Sequence, residues 1–227
     1  MKRILKILVI FLMAIIITII IYKKEYKQNI NILVIGDELS LGVTPFGNIN
    51  NSYVYYLKRN NNYNITTINK PKLTYDELYN MIYFDKKIYY KGEYTNIKNI
   101  IKQNNIIILN ANTNKSLNKC NKNNRIYKEY LDNTFEKTTK IIDQIYITGT
   151  NKVIVLSPYC TNNNEEITKY IDKYYNYKIT TYINLNKILN EKSYYLPSQK
   201  TNYPSLEGYN KIQNELNIII NDYIKNN

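Results

Sequence analysis

The sequence predicts an α/β fold in which helices cover a mainly parallel five-stranded sheet, preceded by one membrane-spanning helix. Three observations support this prediction. The chain has 227 residues, of which 44% are hydrophobic, enough for one domain with its own core. An uncharged apolar segment lies near its start. After that segment, short β-rich runs alternate with longer segments of helical character, which is the pattern of α/β proteins with parallel sheets.

The apolar segment at residues 4–22 is the predicted membrane span. Residues 7–22 carry no charge, and together with the three preceding residues they can cross about 30 Å of hydrocarbon as a helix. A cleavable signal peptide would be followed by small residues, whereas this segment runs into Tyr-Lys-Lys-Glu-Tyr. We therefore expect an uncleaved signal anchor. Basic residues flank both of its ends, but such anchors usually keep a short basic head in the cytoplasm, which places the rest of the chain outside.

The residues after the anchor form one predicted domain, 29–227, and residues 1–28 comprise the anchor and its basic flank. Neither an internal repeat nor a linker rich in Pro or Gly divides the domain. Apolar residues from Leu216 to Ile224 recur at helical spacing, and Ser205 is the expected N-cap of this last helix. The predicted strands are 31–35, 64–68, 106–109, 153–156 and 180–185. The predicted helices are 53–59, 75–83, 95–103, 126–146, 165–175 and 205–224.

The absence of histidine from the sequence limits the chemistry that the chain can perform. Without histidine there is no imidazole acid or base, no histidine metal ligand and no Ser-His-Asp triad. Two cysteines without a C-x-x-C pair give no zinc or iron–sulfur pattern. A metal site would need carboxylates alone, so we expect neither a metal nor a cofactor.

The net charge of +13 is unevenly distributed along the chain. Six basic residues and one acidic residue flank the apolar segment, which leaves 25 basic against 17 acidic residues, a net charge of +8, for the remainder. The lysines of the remainder are dispersed, and its only arginines are Arg59 and Arg125, so we expect no nucleic-acid binding. Attraction to anionic envelope polymers or lipid head groups fits better. The alternative is a lysine-rich surface that is merely solvated.

The turn after the first predicted strand carries the most informative motif. It contains Gly36, Asp37, Glu38 and Leu39, and Gly42 follows. This turn resembles the first block of the SGNH, or GDSL, hydrolase family, whose motif is Gly-Asp-Ser-Leu with the serine as nucleophile. Glu38 stands where that serine is expected.

A second block of the same family, Asp-x-x-His-Pro, resembles residues 200–209. Lys200 replaces the acid of this block and Tyr203 replaces its histidine. The chain keeps the other residues of the block in step: Pro204, Ser205, Gly208 and Tyr209. The acid and the histidine of this block are therefore substituted, whereas the residues around them are retained.

The third block of the family, Gly-x-Asn-Asp, resembles residues 110–113, in which Asn112 matches the oxyanion-hole donor. The glycine of the second block is expected at 69–74, where none is present. The resemblance covers residues 30–224. It implies the three-layer, flavodoxin-like fold of the SGNH hydrolases, with a five-stranded parallel sheet.

The resemblance, together with the substitutions at the positions of the serine and the histidine, predicts a relative of the hydrolases that is inactive, because no residues fill the roles of the triad. We expect binding of a cell-envelope ligand, and the resemblance suggests a glycan. The tyrosines expected along the rim of its site include Tyr53, Tyr55, Tyr159 and Tyr203. One alternative is an atypical hydrolase that removes acyl groups from envelope glycans through Glu38, Asn112 and Tyr203. Another is a structural envelope protein without a ligand. The oligomeric state is not predicted.

Correlated substitutions at the triad positions suggest a contact between them. In the family the serine faces the histidine, so Glu38 is expected to face Tyr203, with Lys200 at the position of the acid. A phenol could then donate to a carboxylate that an ammonium neutralises, forming a latch between the first turn and the last helix. The alternative is a Lys200 side chain that points into solvent. Ser40, two residues past the motif's serine, is expected to cap or pack.

The two cysteines, Cys120 and Cys160, follow the third and fourth predicted strands. The sheet order of the family makes these strands neighbours and places both loops at one edge, so the resemblance suggests a disulfide between them. Outside the cytoplasm such a bond is permitted. Two unpaired thiols are the alternative.

Overall fold

The computed structural model describes residues 11–13, 15–16, 18, 30–42, 51–60, 63–111, 113–120, 124–149, 152–160, 165–173, 180–196 and 203–226. The predicted anchor, residues 4–22, lies mostly outside these ranges, and so does its basic flank. In the part of the chain that is described, no helix is both long and apolar enough to cross a membrane.

Five parallel strands form the central sheet, in the order β2-β1-β5-β6-β7. Two further strands, β3 and β4, pair as an antiparallel hairpin. The five-stranded parallel sheet predicted from the sequence is therefore confirmed. The strands are β1 (Asn31–Gly36), β2 (Asn64–Asn69), β3 (Lys87–Tyr90), β4 (Glu93–Asn96), β5 (Ile106–Leu109), β6 (Lys152–Leu156) and β7 (Thr180–Ile183).

Helices cover both faces of the sheet, as a parallel sheet requires. They are α1 (Glu38–Leu41), α2 (Tyr53–Asn60), α3 (Tyr75–Tyr83), α4 (Ile97–Lys102), α5 (Thr113–Cys120), α6 (Asn124–Ile147), α7 (Glu165–Lys173), α8 (Leu185–Ile188) and α9 (Leu206–Lys225). A short 3₁₀ helix spans Lys192–Tyr194. The Ser205 hydroxyl accepts the backbone N–H of Gly208, 3.2 Å away, so its predicted role as the N-cap of the last helix is confirmed.

The two hydrophobic layers of the core follow from the alternation of side chains along each strand. In β1, Ile32 and Val34 face the layer formed by α2, α8 and α9. Leu33 and Ile35 face the opposite layer, formed by α3, α4 and α6. All four side chains are fully buried, so the first strand is apolar on both faces.

The structure differs from the predicted elements mainly between α3 and α5. A helix was expected at 95–103, but residues 93–96 pair with residues 87–90 in the hairpin, and the helix begins at Ile97. The hairpin was not predicted, because each of its strands has only four residues. The last predicted strand, 180–185, ends at Ile183, because Asn184 caps a short helix with its side chain.

The structure joins Cys120 and Cys160 in a disulfide. Cys120 ends α5 and Cys160 follows β6, and their Cα atoms are 5.6 Å apart. Both cysteines lie in a third buried cluster with Tyr127 and Leu131 of α6. The two cysteines are 40 residues apart in the sequence, so the bond closes a long loop. It links α5 to the segment after β6.

Replacing both cysteines by serine, Cys120→Ser with Cys160→Ser, should lower the free energy of unfolding by about 4 kcal/mol, because the unfolded chain regains the entropy of that loop. Urea denaturation of the variant and of the oxidised and reduced wild type measures this. Reduced wild type should resemble the variant. A variant as stable as the oxidised wild type would show that the bond constrains nothing.

Candidate functional site

The candidate site lies at the carboxyl edge of the sheet, where β1 and β5 end side by side. Ile35 of β1 is in register with Leu109 of β5. The residues that follow the two strands, Asp37 and Asn110, are therefore brought together. Open α/β sheets bind their ligands at this edge.

The Asp37 carboxylate accepts four hydrogen bonds inside the protein. Its donors are the backbone N–H of Leu39 (3.1 Å), the Asn110 side-chain amide (2.6 Å), and both the backbone N–H (2.7 Å) and the hydroxyl (2.9 Å) of Thr113. Asn110 in turn accepts a hydrogen bond from the Tyr53 hydroxyl, at 2.7 Å. Asp37 therefore caps α1 and also connects it with α2 and α5.

Burial governs the ionisation of Asp37. The side chain is inaccessible to solvent, and this desolvation raises its pKa from 3.8 to about 6. The hydrogen bond from the Thr113 backbone N–H opposes the shift, whereas the negative charge of Glu38 adds to it. Because its acceptor sites are used within the protein, Asp37 supports the site rather than serving as an exposed acid.

Two glycines of the matched motifs are required by close packing. A Cβ atom added to Gly36 would lie 2.4 Å from both the Asn110 Oδ1 and the Ser40 Oγ atoms. One added to Gly208 would lie 2.3 Å from the Tyr194 carbonyl oxygen. The third matched glycine, Gly42, ends α1 with φ = 72°, in the left-handed region that favours glycine.

Glu38 is the first residue of α1 and is almost completely buried. Its Oε1 atom accepts the backbone N–H of Lys72, 2.9 Å away, in the loop between β2 and α3. Its Oε2 atom is buried and accepts no hydrogen bond from the part of the chain that the structure describes. The Glu38 side chain is therefore packed inside the first turn and is held by one described hydrogen bond, from the loop before α3.

Tyr203 is also buried, and it interacts with Glu38 through charge. Burial raises the pKa of the Tyr203 phenol well above 10, and the charges of Glu38 and Asp37 raise it further. The two side chains form no hydrogen bond with each other, so the latch proposed from the sequence is not made in that form. Lys200, its third expected member, lies outside the described residues, as does Asn112.

Ser40 has a structural role, as expected from its place on the helix. Its hydroxyl lies 2.8 Å from the Asp37 carbonyl oxygen and 2.9 Å from the Asn69 side-chain oxygen. The side chain is buried. It thereby links the first turn to the end of β2.

A saccharide-binding rim of tyrosines was expected, and most of its members are in the wrong place for it. Tyr53, Tyr159 and Tyr203 are buried, and only Tyr55 is exposed. Tyr55 instead lines a cavity of about 410 Å³ beside the first turn. Lys58 and polar side chains such as Asn69 complete its wall.

Pro204, which the family's last block retains, connects the loop before α9 to the 3₁₀ helix. It forms an isolated antiparallel bridge with Tyr195. The next residue, Ser205, donates its backbone N–H to the Tyr194 carbonyl oxygen at 2.8 Å. The block is therefore held where α9 begins, at the same edge as Glu38.

Sequence reasoning missed the role of three residues at the site: Tyr53, Asn110 and Thr113. Their bonds to one another and to Asp37 join segments up to 76 residues apart. The only signal in the sequence is their placement just after a strand or at the start of a helix. Among the described residues, no group of three or more Cys, Asp or Glu side chains is placed to hold a metal ion.

Two solved structures have the same fold as this chain over most of their length. A lipase, Lip_vut3 from a goat rumen metagenome, has a TM-score of 0.61 and 18% sequence identity, and the match covers 83% of this chain and 96% of the lipase. Its fold and that of this chain are the same. A protein assigned to the lipolytic G-D-S-L family, from Desulfitobacterium hafniense, has a TM-score of 0.56 and 18% identity, covering 82% of this chain and 97% of its own.

The chain has the GDSL, or SGNH, hydrolase fold. Neither a protein-family model nor a curated protein sequence matches it. The resemblance read from the motifs of the sequence is thus confirmed at the level of the fold. In this GDSL-like domain, the turn that matches the family's first block is built around Asp37, and Glu38 is buried at its start.

The pH dependence of stability tests the buried state of Asp37. Between pH 6 and pH 4 the folded protein takes up a proton at Asp37, whereas the unfolded chain, with a pKa near 3.8, stays mostly ionised. Proton uptake by Asp37 therefore raises the free energy of unfolding as the pH falls, by up to about 3 kcal/mol. Chemical denaturation of wild type and Asp37→Asn at several pH values measures the effect.

Wild type should gain stability relative to Asp37→Asn as the pH falls from 7 to 4. Ser40→Ala is the matched control at the same turn, because it removes a hydroxyl that does not titrate. The difference in free energy of unfolding between Ser40→Ala and wild type should be the same at every pH. A constant difference for Asp37→Asn as well would contradict the raised pKa.

Proposed function

We propose that this chain is a membrane-anchored, extracytoplasmic protein that uses a GDSL-hydrolase fold to bind a cell-envelope ligand or partner without hydrolysing esters. One observation carries the proposal: the residue at the position of the nucleophile, Glu38, is buried and accepts the backbone N–H of Lys72. The family's mechanism needs a hydroxyl activated by a neighbouring base, and a buried carboxylate does not supply that hydroxyl.

Among the residues that the structure describes, none at the site takes over the roles of the triad. The sequence contains no histidine, and Tyr203, which stands in its place, has a pKa raised well above 10 by burial and by Glu38. A general base at neutral pH needs the opposite shift. The hydroxyl of Ser40, two residues past the position of the nucleophile, is buried and is already bonded to the Asp37 carbonyl oxygen and the Asn69 side chain. The alternative of an atypical hydrolase working through Glu38, Asn112 and Tyr203 is therefore less well supported.

The sequence and the disulfide support a location outside the cytoplasm. Residues 4–22 are long and apolar enough for a signal anchor. The bond between Cys120 and Cys160 is of a kind that persists in oxidising compartments. Together these features favour a domain that is held at the outer face of the membrane.

The ligand we propose is an anionic envelope polymer, either a glycan or another polymer. The net charge of +8 outside the anchor region favours such a partner over a cationic one. The cavity beside the first turn supplies Lys58 for a negative group and Tyr55 and Asn69 for hydroxyls. It lies at the sheet edge where proteins of this architecture bind ligands.

Membrane retention tests the anchor. Full-length protein expressed in a bacterial host should stay in the membrane fraction after a carbonate wash, at its uncleaved mass, because no cleavage site follows the apolar segment. Fractionation followed by intact-mass measurement decides this. Release of a shortened form that begins near residue 24 would refute it.

Turnover and binding are tested on the full-length protein in detergent. Short-chain aryl esters should be hydrolysed no faster than in buffer, whereas isolated anionic cell-wall polymer should retain the protein. Lys58→Gln should weaken retention about fivefold, with Lys225→Gln, at the far end of α9, as the charge-matched control.

Ester turnover abolished by Glu38→Gln would establish the hydrolase instead. Absence of both turnover and binding would favour a purely structural role.

A further inference from the structure

The hairpin formed by β3 and β4 carries an exposed aromatic surface. Tyr89 and Tyr94 are directly opposite each other in its register, with ring centroids 5.4 Å apart. They are 68% and 73% exposed. Tyr83 and Phe84, just before the hairpin, are exposed as well and contact each other edge to face. We call these four residues the aromatic patch.

The aromatic patch is mounted on the body of the domain by its other side. Ile88 and Tyr90 point inward and pack against the core layer formed by α3, α4 and α6. Asp85 fixes the base of the hairpin, because it accepts hydrogen bonds from the Asn96 side chain (2.9 Å) and from the backbone N–H of Lys98 (3.0 Å). The exposed rings are therefore held outward and are not folded back onto the core.

Lysines surround the aromatic patch. Residues 86–94 contain three lysines and one glutamate, all exposed. The ammonium of Lys91 lies 5.3 Å from the centre of the Tyr90 ring. Exposed aromatic rings with lysines beside them are the combination found where proteins meet the head groups of a bilayer.

The hairpin lies close to the point where the chain enters the domain. Asn31, the first residue of β1, exchanges hydrogen bonds with Asn105, at 3.0 and 2.9 Å, and donates its side chain to the Gln103 carbonyl oxygen. Only α4, about 9 Å long, separates these residues from the hairpin. Residues 23–30 can span at most about 28 Å, so an anchor at residues 4–22 keeps this side of the domain near the bilayer.

We infer that the aromatic patch and its lysines dock on the anionic surface of the membrane that holds the protein. The inference rests on the proposed anchor for its geometry. The rings enter the head-group region, and the ammonium groups pair with lipid phosphates. Docking at this end turns the carboxyl edge of the sheet, with Glu38 and the cavity beside it, away from the bilayer and toward the envelope.

The absence of tryptophan from the sequence provides a clean test. Tyr94→Trp places a single fluorophore in the aromatic patch, and Leu206→Trp, an exposed position at the start of α9 on the opposite edge, is the control. Full-length proteins are reconstituted in vesicles of phosphatidylcholine alone or enriched in phosphatidylglycerol, each with brominated lipid as the quencher.

On anionic vesicles we expect the tryptophan emission of Tyr94→Trp to shift to the blue and to be strongly quenched by the brominated lipid. Neither change is expected for Leu206→Trp. Neutral lipid or high salt should weaken the quenching. Adding Lys87→Gln and Lys91→Gln should lower the docking equilibrium about fivefold for each lysine removed.

An unquenched Tyr94→Trp protein that is retained by the vesicles would overturn the inference and leave the anchor intact. Equal quenching at both positions would overturn it as well, because the hairpin would then have no special role. If the vesicles do not retain the chain, the anchor is refuted. Vesicles are then added to the dissolved protein, and quenching of the tryptophan at position 94 is measured. Quenching would support docking of the hairpin, and no quenching would overturn it.

Discussion

The buried carboxylate of Asp37 holds the candidate site together. A charged group without access to water is costly unless donors replace the lost hydration, and four donors from three segments do so here. Asn110 extends this network to Tyr53 on α2. The first turn, α2 and the start of α5 thus have fixed positions relative to one another. The close approach of Asn110 also explains why Gly36 has no room for a side chain.

The motif residues that this chain retains are those with a packing role, and those it has changed are those with a chemical role. Gly36, Asp37 and Gly208 are each required by contacts of the backbone or of the buried network. The positions of the serine and the histidine carry Glu38 and Tyr203. Glu38 is buried and bonded to the Lys72 backbone, and burial raises the pKa of the Tyr203 phenol. This division fits the proposed binding role, which needs the scaffold but not the triad.

The sheet could be predicted from the sequence because its strands are short apolar runs separated by helical segments. β1 and β5 are buried on both faces, and such runs are recognisable without any partner. The hairpin could not be predicted in the same way, because four-residue strands with one exposed face resemble loop or helix. The Asp37 network was missed for a different reason. Asparagine is abundant throughout the chain, so the place of Asn110 just after a predicted strand is a weak signal. The register of β1 with β5 is what places it beside Asp37.

Reaction of the full-length protein with a fluorophosphonate probe tests whether this GDSL-like domain has a reactive serine. An activated serine attacks the phosphorus, expels fluoride and keeps the phosphonyl group, so intact mass reveals one adduct per site. With no nucleophile at the first turn, the mass should not change, while an active serine hydrolase in the same tube is labelled completely. An adduct mapped to Ser40 would contradict the account, because it would show a working nucleophile two residues from Glu38.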